Sequence, residues 1–351
     1  MISRDDLEYI HSGILDIESH LKGKKIFITG GTGLFGKWLL EAIHYLNQSC
    51  AYGVVVHSIS RDPEKFLLDY PYLRQSYIKF IKSDIRDDFF LPEVDYVIHG
   101  ATDASQKLND EDPEKMLDIT LNGTWNLLRK IKNISAEKTL VISSGGVYGE
   151  NVTGEKHLES EQGFLSLEDI SATYSHGKRI SELLATIYNK QYDLNITCLR
   201  CFAFVGAYLP LNSHFVIGNF IDDVLNGRDI VIKSDGLAHR SYMYMADLVI
   251  WILKALVYGK SGEAYNVGSS EHRNLKQLAE LVSKHGGSEF SIRVLGEGGG
   301  TSSRKMYLPN IDKAMNDFEI SSIVPLGSAI DKTIIWHKKM RELSPRKYNI
   351  R

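Results

Sequence analysis

The sequence predicts an α/β protein: a doubly wound parallel sheet followed by a smaller C-terminal α/β part. Three observations predict it. From Lys24 onward, short β-branched runs alternate with longer amphipathic segments. The runs are apolar throughout rather than at every second residue, as in strands covered on both faces. A glycine-rich turn joins the first run to the first long helical segment. The 351 residues are 43% hydrophobic and 24% charged, which excludes a disordered, collagen-like or disulfide-framed chain. With 41 basic and 44 acidic residues the formal charge is −3, so neither nucleic acid nor anionic lipid is an expected partner.

At the N-terminus, Leu7, Ile10, Ile14, Ile17 and Leu21 recur at helical spacing. They predict a helix over residues 4–22, packed by one stripe on the body of the domain; docking on a partner subunit is the alternative. The segment is charged from its fourth residue, unlike a secretory signal. No run is long and apolar enough to span a bilayer, so a soluble cytoplasmic protein is expected.

The predicted strands are Ile26–Thr29, Val54–Ile59, Ile78–Ile81, Tyr96–Ile98, Thr139–Ser143 and Ile196–Phe204. Between them run helices to about Asn47 and over about 112–132 and 170–191. After about residue 205 the rhythm changes, with helices near 215–226, 246–258, 274–285 and 327–342 and a loop at Gly296–Gly300. The expected division is an extension over 1–22, a first domain over 23–205 and a second part over 206–351. Three cysteines (Cys50, Cys198, Cys201) fit a reducing compartment. Cys198 and Cys201 form a lone CxxC without the second ligand pair of a structural zinc. Three residues apart on a strand they point to opposite faces, so no metal site is expected.

The turn reads Thr29-Gly30-Gly31-Thr32-Gly33-Leu34-Phe35-Gly36, with glycines in GxxGxxG spacing between strand and helix. Gly30 allows the tight turn, Gly33 lets backbone approach a pyrophosphate, and Gly36 lets helix and strand pack closely. The helix starting at Leu34 and Phe35 offers N–H donors to the anion, as in a Rossmann-type NAD(P) site. The second strand ends Ser58-Ile-Ser60-Arg61-Asp62-Pro63. Arg61 stands where a guanidinium would take a 2′-phosphate, which inclines the reading to NADP(H). Asp62 weighs against that, and a solvated loop charge is the bland account of Arg61.

Tyr174-Ser-His-Gly-Lys178 puts a phenol and an amine one helical turn apart. A phenol has an ordinary pKa of about 10. An adjacent ammonium and a cationic nicotinamide would favour its anion, making Tyr174 a base for a substrate hydroxyl. Ser144, at the end of the fifth strand, would hold that hydroxyl.

These motifs resemble the extended short-chain dehydrogenase/reductase superfamily, in its nucleotide-sugar epimerase/dehydratase branch, from about Lys24 to about residue 320. The resemblance implies a catalytic set of Tyr174, Lys178 and Ser144. It implies adenine contacts from Asp84 and Ile85, and a cofactor-lining strand ending at Ala101. Arg240 would bind the diphosphate of a nucleoside-diphosphate sugar, with Asn219 and Arg304 also on the substrate. A homodimer through the helices near 112–132 and 170–191 is implied as well.

Two departures stand out. Thr120 occupies the position of the family's relay Asn, and Asn122 is displaced by two. Gly145-Gly146 replaces the Asp-Glu pair of sugar 4,6-dehydratases and the Glu of related decarboxylases. Glycine supplies neither acid nor base, which leaves hydride chemistry at one carbinol. The leading reading is C4 epimerisation. A reductase or dehydrogenase with net cofactor turnover, a 4,6-dehydratase using acids from elsewhere (Asp103, beside Thr102, is the one to test) and a cofactor-binding sensor are the alternatives. His99, His176 and His239 are read as structural or solvated.

Overall fold

The computed structural model describes residues 1–102, 105–151, 154–213, 215–287, 290–296 and 306–343. Seven parallel strands form the central sheet: β1 (Lys25–Thr29), β2 (Val55–Ser60), β3 (Ile78–Lys82), β4 (Tyr96–His99), β5 (Lys138–Ser144), β6 (Ile196–Cys201) and β7 (Ala264–Val267). Their order is β7-β6-β5-β4-β1-β2-β3. The winding reverses between β1 and β4, where ligands bind in such sheets.

Among the described residues, eight longer helices accompany the sheet: α1 (Arg4–Ser12), α2 (Leu34–Cys50), α3 (Pro113–Ile131), α4 (Thr173–Tyr192), α5 (Val216–Leu225), α6 (Met245–Tyr258), α7 (Leu275–His285) and α8 (Leu326–Leu343). Because strand side chains alternate, the sheet feeds two cores. Ile26, Ile28, Ile98, Ile142 and Cys201 join the core that includes α2 and α6. Phe27, Val97, Val141 and Cys198 face Leu127, Leu128 and Ala185 of α3 and α4. Cys198 and Cys201 are buried free thiols in different cores, as their spacing requires.

Two expected elements are broken. The single helix over 4–22 is α1, a 3₁₀ turn at Leu15–Ile17 and a short helix at Glu18–Leu21. Gly13 ends α1 where the chain passes α6 so closely that a Cβ would lie 2.5 Å from Ile250 Cδ1. The apolar stripe is nevertheless buried on the body of the protein. Buried Asp6 ties it down by accepting from Tyr244 at 2.8 Å and Lys332 at 2.8 Å, while Lys254 reaches Asp16 at 2.8 Å. The strand expected over 196–204 stops at Cys201. Phe204–Val205 then pairs in parallel with Met243–Tyr244, and Phe202 and Ala203 face the cleft between them.

Beyond the sheet, His239–Ser241 forms the middle strand of a small sheet between His272–Asn274 and Met306–Tyr307. Ile14 is fully buried whereas its neighbour Leu15 is 54% exposed. Ile14→Ala should therefore cost about 2–5 kcal/mol in urea unfolding and Leu15→Ala less than about 0.5 kcal/mol. Equal losses would show that the extension is not anchored through its apolar stripe.

Candidate active site

The cleft lies at the carboxyl ends of β1 and β4 and has two connected lobes, of about 690 and 370 Å³. They share Gly30, Gly33, Leu34, Gly100, Thr102 and Phe215. The glycine turn forms the floor between them. Gly30 has φ +77°, and a Cβ there would meet Gly100 O at 2.6 Å and Ala101 N at 2.9 Å. A Cβ on Gly36 would lie 2.3 Å from Gly30 O, a backbone atom that has nowhere to go. α2 starts after Gly33 with no side chain capping its first turn. Its leading N–H groups and dipole are thus left for an anion. Uncapped amides and a glycine-rich floor are a donor set that fits a dinucleotide pyrophosphate.

The larger lobe is lined by Arg61, Asp62, Asp84, Ile85 and Ala101. Asp62 accepts from Lys65 N at 3.2 Å and so caps the helix Pro63–Asp69. Asp84 is clamped by Arg86 through two side-chain bonds of 2.9 Å. Those bonds hold its carboxyl down at about 2. The sequence reading did not single out Arg86, although it stands two residues beyond Asp84.

The smaller lobe brings together Ser144, Tyr174, Lys178, Arg240 and Tyr307, together with Leu34, Phe35 and Gly36. Tyr174 sits in the first turn of α4 and Lys178 one turn on, its Nζ 5.7 Å from the phenol ring centre. Lys178 Nζ donates to Thr102 Oγ1 at 2.9 Å and to Ile142 O at 2.7 Å. Burial pulls its pKa down to about 8. Burial also pushes Tyr174 well above its ordinary value; neighbouring Tyr307 adds to this and a hydrogen bond with Ser144 opposes it. The expected help from the ammonium is not among the influences on the phenol. Desolvation dominates, and Lys178 spends its protons on the cleft wall.

Ser144 ends β5 and accepts from Gly146 N at 3.0 Å. The next two residues are packed closely by neighbouring side chains, which would have to shift to admit a Cβ. A Cβ on Gly145 would lie 2.7 Å from Tyr307 Oη and 2.8 Å from the Phe202 ring, and one on Gly146 would lie 2.7 Å from Ser175 Oγ. Phe202 and Tyr307 were not legible as site residues, because tertiary packing alone carries them to Gly145. Arg240 lines the lobe with its guanidinium 5.7 Å from the Tyr307 ring centre.

Other expected residues lie elsewhere. Asn219 does not line either lobe; its side-chain oxygen accepts from Ser213 N at 3.0 Å and so braces a loop. Arg304 and Asp103 fall outside the described residues. Thr120 is buried, bonded to Met116 O at 2.8 Å and packed against Gly177, while Asn122 is spent on Asp118 at 2.6 Å. His176 contacts Ser166 O at 3.0 Å. Among the described residues no group of three or more His, Cys, Asp or Glu could hold a metal, and no helix is long and apolar enough to cross a membrane.

The buried amine has a measurable consequence. Lys178 titrates near 8 when folded and near its ordinary value of 10.5 when unfolded, so the unfolded chain binds more protons between those values. Stability of the wild type relative to Lys178→Met should rise with pH from about 8 to about 10.5, read from urea midpoints. A pH-independent difference would show that the amine is not desolvated.

Comparison with known proteins gives a consistent frame. A 28% identical relative, UDP-glucuronic acid decarboxylase 1 of Xenopus tropicalis, aligns over 91% of this chain and 73% of its own length. Among solved structures, the UDP-glucose 4-epimerase of Thermotoga maritima superposes with TM-score 0.77 at 23% identity, covering 90% of this chain and 99% of that one. The UDP-N-acetylglucosamine 4-epimerase of Methanobrevibacter ruminantium superposes with TM-score 0.78 at 24% identity, covering 91% and 99%. The sequence pattern of the NAD dependent epimerase/dehydratase family matches residues 26–268, the span that builds all seven strands and carries the glycine turn, the Tyr174/Lys178 pair and Arg240. The chain belongs to the NAD-dependent epimerase/dehydratase family of enzymes.

Proposed function

We propose that this protein is an epimerase that inverts C4 of the hexose of a nucleoside-diphosphate sugar. The observation that carries the reading is the pairing of one proton-transfer set with a wall that offers no acid: Ser144, Tyr174 and Lys178 share a lobe, and the two residues after Ser144 are the glycines Gly145 and Gly146. A nicotinamide dinucleotide held over the glycine turn, between Gly30, Gly33 and Lys178, would supply reversible hydride transfer at the ring carbon. Ser144 holds the C4 oxygen and Tyr174 takes and later restores its proton. Lys178 holds the ribose side of the cleft and adds positive charge beside the phenol. Arg240, whose planar fork suits phosphate oxygens, grips the diphosphate.

Elimination needs a second acid and base, which the Gly145-Gly146 wall does not offer. Decarboxylation of a uronic acid is the second reading, favoured by the 28% identical decarboxylase relative. It begins with the same oxidation at C4, so the products decide between them. Incubation with UDP-glucose and with UDP-glucuronate should yield a C4 isomer with no net absorbance change at the nicotinamide band. Release of carbon dioxide would replace this reading by the second, and steady cofactor consumption would mark a dehydrogenase.

The cofactor reading leans to NADP(H). Its support is Arg61 in the adenosine lobe beside an Asp62 already committed to capping a helix. Arg61→Ala should weaken NADP(H) at least about tenfold and leave NAD(H) within about threefold, measured by calorimetry. A wild type that prefers NAD(H) removes that role. Tyr174→Phe should lower kcat by about 10²–10⁴-fold while dinucleotide affinity holds; undiminished turnover would refute the catalytic assignment. A homodimer through α3 and α4, whose surfaces expose Trp125 and Leu183, and a cytoplasmic location complete the proposal.

A further inference from the structure

Beneath the cleft floor runs a buried polar chain for which the proposed chemistry has no use. His99, at the end of β4, contacts Thr29 Oγ1 through Nδ1 at 2.7 Å and Thr124 Oγ1 through Nε2 at 2.9 Å. Thr29, His99 and Thr124 are almost fully buried, as is Ser181, which lies 3.1 Å from Thr124.

The protons on this chain can be assigned by elimination. Thr124 donates to Thr120 O, one turn back, at 2.6 Å, and Ser181 donates to Gly177 O at 3.0 Å. Each hydroxyl has one proton, so Thr124 has none left for His99. His99 Nε2 must carry the hydrogen, and Nδ1 is then an acceptor. At the other end, Thr29 Oγ1 already accepts from Gly100 N at 3.1 Å and Ala101 N at 3.0 Å. Its own proton points to Nδ1. The opposite tautomer would crowd three donors onto the Thr29 oxygen and leave the hydroxyl proton of a buried threonine without an acceptor, a costly arrangement.

The chain ends at the reacting lobe. Gly100 and Ala101 are the backbone against which Gly30 packs, and Thr102, whose N–H donates to Gly100 O at 2.9 Å, accepts from Lys178. We propose that His99, fixed as its Nε2–H tautomer, is a positioning residue: it orients the Thr29 hydroxyl, which pins Gly100 and Ala101 under the glycine turn and so sets the seat of the dinucleotide and of Lys178. This rests on the reading that the cleft holds a dinucleotide. Burial, with the nearby Lys178 charge, pulls the imidazole down to about 3 and so keeps it neutral over the working pH range.

Two measurements test it. In ¹⁵N-histidine NMR of the full-length protein, the signal lost in His99→Gln should show a protonated Nε2 and a bare Nδ1, with no titration from about pH 5 to 9. An Nδ1–H tautomer, or an imidazole titrating in that range, overturns the proposal whatever the cleft binds. In calorimetry, Thr29→Val, which keeps shape but loses the hydroxyl, should weaken dinucleotide binding about tenfold and leave UDP binding unchanged, whereas Thr29→Ser stays within about threefold of wild type. Unchanged dinucleotide affinity in Thr29→Val overturns the positioning role. A wild type that binds UDP but no dinucleotide overturns the cofactor reading as well, and so separates the two failures.

Discussion

The close approach of two backbones, the turn after β1 and the end of β4, is the constraint on which the site depends. Gly30 lies against Gly100 and Ala101, and Gly36 lies against Gly30, at distances that admit no Cβ. That contact lets α2 begin directly over the sheet with its first amides uncapped and facing the cleft. The same floor seats Thr102, and through it Lys178. A methyl group at Gly36 would have to displace backbone, so the loss would reach the cleft as well as the core.

Desolvation is the second organising force. Tyr174 and Lys178 lie in one buried lobe, and burial moves both toward their neutral forms, the phenol upward and the amine down to about 8. Burial thus works against the charge separation that proton transfer from the phenol would need. A substrate oxygen beside Ser144 and positive charge arriving in the cleft would tip that balance only where both are held in place. Under the proposed function, proton transfer would in this way depend on what the cleft holds.

Gly145 and Gly146 set the character of the wall beside Ser144 in this chain. The 28% identical relatives include decarboxylases, and the superposed structures include 4-epimerases. Here Phe202 and Tyr307 fill the space that an acid at 145 would need, and Ser175 fills that at 146.

By itself the sequence determined the parallel sheet, the order of its elements, the glycine turn and the one-turn spacing of Tyr174 and Lys178. All of these are local: strand patterning, helix periodicity and turn chemistry act between residues close in the chain. Tertiary structure decided what depends on long-range packing. It broke the N-terminal helix at Gly13 because α6 lies against it, and it took β7 from residues 264–267. It carried Tyr307 and Phe202 to Gly145, and let burial set the direction of the shift at Tyr174. Contacts between segments far apart in the chain leave no period or spacing to read, and the dielectric around a side chain exists only once those contacts have formed.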